Sequence, residues 1–147
     1  MSALLARLQQ DLTAARKAQD KARTLVLGTI VAELKARELD QSAPLTDDDA
    51  IDGLRKAIKK RREAAEAFTA AGRVELAEQE LAQGTVLEAY LPPAADPEAI
   101  RAAVRAAIAG GATQMGAVMG RVMPQFKGSA DGSVINAIVR EELARQG

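Results

Sequence analysis

The side chains able to do chemistry in this 147-residue chain are carboxylates, hydroxyls, lysines and arginines, because it has no His and no Cys. Without His or Cys there is no imidazole base, no thiolate nucleophile and no nitrogen or sulfur ligand for zinc, which excludes the common hydrolase triads and structural zinc sites. The densest remaining group is residues 55–62, RKAIKKRR, with six basic side chains and no acid. At helical spacing Arg55, Lys59 and Arg62 share one face, with Lys56 and Lys60 beside it. Such a face can hold a row of phosphates, or it can simply be solvated. The chain has no Trp, one Tyr and two Phe. Few rings can stack on bases, so contact with RNA would follow backbone and shape rather than sequence.

The other candidates are weaker. Asp47, Asp48, Asp49 and Asp52 resemble a metal cluster in composition, but acids within one helical turn point in different directions, and three of them suit the positive end of a helix dipole. No metal and no cofactor is expected. The segment MGAVMGRVMPQFKGSADG is rich in glycine yet lacks the G-x-x-x-x-G-K-[ST] order of a phosphate loop. Gly128 to Gly132 read as a tight turn into a helix capped by Asp131, whose first N–H groups can hold one phosphate beside Lys127. No Ser or Thr has an evident base, so no catalytic residue is assigned.

Apolar spacing is helical throughout, which predicts an all-α chain. Leu4/Leu5, Leu8, Leu12 and Ala15 mark a first helix, and Leu27, Ile30/Val31 and Leu34 a second, joined near Gln19–Asp20. Thr46 reads as an N-cap followed by three acids, so the third helix begins near Asp47. Its stripe is Ile51, Leu54, Ile58, Arg61, Ala65 and Phe68. A fourth helix, with the stripe Leu76, Glu80, Gly84 and Leu87, follows a break at Ala71–Gly72. Arg61 and Glu80 are the charged members of these stripes, and a hairpin about Gly72 predicts a partly buried ion pair between them. Gly28 and Gly84 inside helices each cost ~1 kcal/mol against Ala unless close packing needs them.

The Pro92-Pro93 link divides a domain of about four helices, residues 1–91, from a small three-helix domain, residues 92–147. In the second, Asp96-Pro97 starts a helix with Ile100, Val104 and Ile108 inward, and Gly110-Gly111 ends it. Thr113 is expected to cap a short helix in which Gly116 and Gly120 form a smooth strip for a close neighbour. The last helix should turn Val134, Ile135, Ile138, Val139 and Leu143 inward. With 20 basic and 20 acidic residues the chain is neutral. Neutrality argues against a general coating of nucleic acid. No run approaches the ~20 apolar residues of a membrane span, no secretory signal is evident, and the expected location is the cytoplasm.

The pieces Ile58-Lys-Lys-Arg-Arg-Glu, Phe68-Thr-Ala-Ala-Gly-Arg73, Glu75-Leu76 with Glu80, Tyr90-Leu-Pro, Met115-Gly-Ala-Val-Met-Gly120, Met123-Pro124, Lys127-Gly128, Ala130-Asp131-Gly132 and Val134-Ile-Asn136 together resemble the YqeY family. That family is similar to the tail domain of GatB, a subunit of the amidotransferase that acts on misacylated tRNA. The resemblance implies an all-helical two-domain protein and a non-catalytic accessory module that contacts tRNA. Its partners would be tRNA and an amidotransferase or aminoacyl-tRNA-related protein. Any label of carbon–nitrogen ligase with glutamine as amido donor would be inherited by similarity, because the domains that perform this chemistry are not in the chain. Gly28, Ser129 and Ser133 stand where members often carry a basic residue, and Gly84 where they carry an apolar one. The competing expectation is a protein–protein adaptor that docks helices on a larger enzyme without touching RNA, favoured by neutral charge and by Met115, Met119 and Met123.

Overall fold

The computed structural model describes residues 2–146, and every regular element among them is helical. They fold as two compact units, the first ending at Leu91 and the second starting at Pro92. In the first, α1 (Ala3–Lys17), α2 (Lys21–Gln41), α3 (Asp47–Ala70) and α4 (Val74–Glu88) surround a core of Leu5, Leu8, Leu27, Ile30, Leu34 and Leu54, each at most 1% exposed. The pairing of α3 with α4 is the most extensive in the molecule, followed by α1 with α2. The helical stripes thus bury as a 3.6-residue period requires.

Helix ends explain the acidic run at the start of α3. Thr46 and Asp49 form a reciprocal capping box. Asp47 reaches across to the start of α1, where its Oδ1 accepts from Ser2 Oγ and from the Leu4 N–H. These bonds, Ser2 first, hold the Asp47 carboxyl below the usual range. Asp49 and Asp52 both take Arg37. Among the described residues no cluster of acids could hold a metal ion.

Between α2 and α3 the tight position is Gly53 rather than either glycine flagged from the sequence. A Cβ there would lie 2.5 Å from Leu34 Cδ2. A Cβ on Gly28 would make only ordinary contact with Leu12 at 3.9 Å, and one on Gly84 would meet nothing within 4 Å. Gly84 therefore carries its helix penalty without a packing return. Gly84→Ala is expected to stabilise the first unit by ~0.5–1 kcal/mol, read as a higher denaturation midpoint with an unchanged m value.

In the second unit α5 (Pro97–Ala109), α6 (Met115–Val122), a 3-10 turn (Met123–Phe126) and α7 (Gly132–Gln146) enclose Ile100, Val104, Val118, Val122, Ile135 and Val139. Asp96 caps α5 with Pro97 in its first turn, and the Asp131 carboxylate accepts from the Ser133 N–H at the head of α7. Three expectations need correction. The N-cap of α6 is Gln114, which makes no side-chain cap, not Thr113. Gly116 and Gly120 face open space, so no neighbour uses them. Val134 is 45% exposed, and the inward positions of α7 are Ile135, Ile138, Val139 and Glu142.

Glu142 is 1% exposed. Its carboxylate accepts from Arg101 Nη1 at 2.6 Å and Arg105 Nε at 3.1 Å, one helical turn apart on α5. The spacing 135, 138, 139, 142 was a legible signal that this acid shares the apolar face, and sequence reasoning missed it.

Candidate nucleic-acid interface

The basic run occupies the middle of α3. Leu54, Ala57 and Ile58 point into the core. That leaves Lys56, Lys59, Lys60 and Arg62 exposed and Arg55 half-buried at the boundary. The structure thus places these five side chains on one continuous helical surface. Lys127 belongs to the second unit, exposed just after the 3-10 turn.

The run has no acid of its own, but acids outside it supply counter-charges. Lys56 pairs with Asp52 at 3.1 Å, Lys59 with Glu63 at 4.0 Å, and Arg62 with Glu88 of α4 at 3.5 Å. The first two are one-turn neighbours on α3, and the third is brought in by the α3–α4 hairpin. The lysine side chains in these pairs are 69% and 77% exposed, and that of Arg62 is 63%. Exposed pairs of this kind contribute ~0–1 kcal/mol and are screened by salt. A row of phosphates can exchange with such carboxylates at small cost.

Arg61 does not meet Glu80. Its Nε donates to Gln83 Oε1 at 3.3 Å and its Nη1 to the Ala57 carbonyl at 3.0 Å. The reason is register: Arg61 lies eleven residues before Gly72 and Gln83 eleven after it. In addition, helical side chains lean toward their own N-terminus, which in an antiparallel pair is toward the later residues of the partner. Arg61 is therefore held by a neutral amide and a backbone carbonyl, and no buried ion pair forms.

A second polar cluster in this unit centres on the single tyrosine. Tyr90 is 5% exposed and follows the end of α4. Its hydroxyl donates to Asp11 Oδ2 and accepts from Arg23 Nη2 at 3.1 Å, and the Arg7 guanidinium lies 4.9 Å from the ring centroid. Burial first, and then the Asp11 carboxylate, push the phenol above its ordinary pKa.

Fold and surface together give an all-helical, two-unit protein with an exposed basic face on α3. The chain belongs to the YqeY family, since the family model described as "Yqey-like protein" matches residues 5–143. No curated protein matches the chain. No helix among the described residues is long and apolar enough to cross a membrane.

Proposed function

We propose that the chain is a non-catalytic tRNA-binding accessory module, related to the GatB tail, that holds the sugar-phosphate backbone in partnership with an amidotransferase or another aminoacyl-tRNA-related protein. The observation that carries the reading is the α3 surface: Lys56, Lys59, Lys60 and Arg62 are exposed side by side, and the ion pairs that three of them make are solvent-exposed, so the cations can turn to phosphate at small cost. With one Tyr, which is buried, and two Phe, Phe68 and Phe126, which are half-buried, stacking contributes little, so recognition would be of shape and charge.

The test is binding of the purified protein to bulk tRNA across a salt series. The expected result is an affinity that falls steeply with salt, and a double variant Lys59→Glu/Arg62→Glu that binds at least tenfold more weakly with a slope flatter by ~2. Absence of wild-type binding at low salt would overturn the reading. It would then favour the adaptor, for which Val74 and Leu81 speak: they lie seven residues apart on one side of α4 and are 59% and 53% exposed.

A further inference from the structure

The cations of the first unit fall into distinct groups once their partners are traced. On α3, Lys56, Lys59 and Arg62 sit against carboxylates. Arg37 holds Asp49 and Asp52, Arg23 bonds Tyr90, and Arg7 covers its ring. Arg16, Lys17, Lys21, Lys35, Lys60 and Arg73 are all exposed, and none takes part in an ion pair or side-chain hydrogen bond among the described residues. Of these, Arg16, Lys21 and Lys35 line two adjoining concavities on the α1–α2 face. One, of about 690 Å³, is lined by Arg16, Gln19, Lys21, Thr24 and Leu25. The other, of about 360 Å³, runs between the helices from Arg16 to Lys35, and no acid lines either. Asp20, beside Lys21, is turned to the Arg23 N–H as the cap of α2, and of the acids near Lys35, Glu33 and Glu38, the second accepts from the Leu45 N–H.

Helix stability does not account for this arrangement. Arg16 suits the C-terminal end of α1, but Lys21 is the first residue of α2, where the dipole disfavours a cation. The corner between the helices departs from economy in the same place. Helices α1, α3 and α5 all end with the same pair of bonds: the Asp20, Arg73 and Ala112 N–H groups reach back to Ala15, Phe68 and Ala107, with the preceding N–H bonded one residue further on. The left-handed position is glycine in two of these corners, Gly72 and Gly111, and Gln19 at φ 56° in the first. An L side chain there is strained where glycine is not. That strained residue, Gln19, lines the first of the two concavities beside Arg16 and Lys21.

We infer that the α1–α2 face, through Arg16, Lys21 and Lys35 with Gln19 as a neutral hydrogen-bonding group, is a second contact for the tRNA sugar-phosphate backbone. The inference rests on the proposed function and adds a face that the α3 run does not include. Charge complementarity selects the occupant: three uncompensated cations along an acid-free trough suit a polyanion, and Gln19 can bond ribose or phosphate oxygen.

The test uses the full chain and bulk tRNA in the same salt series. Arg16→Glu/Lys35→Glu should weaken binding at least tenfold and flatten the salt slope by ~2. The control Arg73→Glu/Arg140→Glu, which changes net charge equally at exposed positions elsewhere, should weaken it less than threefold. Gln19→Gly, neutral in charge, should raise the melting temperature while weakening binding at least twofold, so the loss cannot be one of folding. Equal losses in the two charge-reversed pairs would overturn the inference, as would full binding by Arg16→Glu/Lys35→Glu beside a defective Lys59→Glu/Arg62→Glu. In the latter case the functional reading stands without this face. If the wild-type protein binds no tRNA at low salt, the functional reading itself fails and this face loses its ligand.

Discussion

Replacing Glu142 with alanine is expected to unfold the second unit at a markedly lower temperature, while Glu141→Ala changes little. The two neighbours on α7 touch the same arginine but in different surroundings. Glu142 is 2% exposed at its side chain and bonds both Arg101 and Arg105, whereas Glu141 is 59% exposed and bonds Arg101 alone. Arg101 is itself only 18% exposed. Loss of Glu142 leaves its guanidinium largely desolvated and short of its main counter-charge, the situation in which breaking a pair costs far more than the intact pair contributes. Hydrogen bonds from Arg105 and then Arg101 hold the Glu142 carboxyl down to about 2 from the usual 4.5. A depressed carboxylate stabilises the fold above the unfolded value, and that stabilisation disappears as pH falls through the folded one. The second unit should therefore lose stability between pH 4.5 and about 2. Glu142→Gln, which keeps size and some hydrogen bonding, should start less stable at neutral pH and show a flatter acid limb. Thermal melts of both variants across that range check the expectation. Matching acid limbs in Glu142→Gln and wild type would refute it.

Why Glu142 escaped the sequence reading while α3 did not is a matter of what spacing encodes. The start of α3 carries a local code: Thr46, three acids and then an apolar period can be read without knowing any neighbour, and the capping box is where that code puts it. The end of α5 at Gly110–Gly111 and the start at Asp96–Pro97 are local in the same way. Glu142 is legible only by half. Its register on the α7 face follows from the positions of Ile135, Ile138 and Val139, but the arginines that make it tolerable come from a helix some forty residues away in sequence. Arg61 shows the converse. Its placement on a half-buried stripe was readable, yet its partner depended on the hairpin register and on the direction in which side chains lean, and a three-residue difference replaced a carboxylate with an amide. The same limit applies to the basic surfaces. RKAIKKRR announces itself as a run, although its counter-charges at Asp52, Glu63 and Glu88 lie outside it. Arg16, Lys21 and Lys35 are scattered over twenty residues and form one face only after α1 and α2 are folded side by side.

Tyr90 allows structural cations to be separated from binding ones. Tyr90→Ala is expected to destabilise the first unit by ~3–5 kcal/mol, because a buried ring at the edge of the core is lost together with its polar contacts. Tyr90→Phe keeps the ring and removes only the hydroxyl that bridges Asp11 to Arg23. Both are half-buried, so each can recover part of its hydrogen bonding from water, and the expected loss is ~1–2 kcal/mol. The raised phenol pKa adds a signature with a definite sign. A group protonated more tightly in the folded state stabilises it below the unfolded pKa near 10, and this contribution fades as pH rises above that value. Wild type should therefore lose stability above pH 10 more steeply than Tyr90→Phe, and equal alkaline limbs would refute the role given to the hydroxyl. Arg7 and Arg23 are engaged by this cluster, so the chain has already used them for folding. If tRNA is held by the α3 and α1–α2 faces, Tyr90→Phe should melt lower and yet bind tRNA within twofold of wild type at 25 °C. A tRNA affinity that fell in step with stability would mean that Arg7 and Arg23 belong to the binding surface and that the division of cations drawn from their partners is wrong.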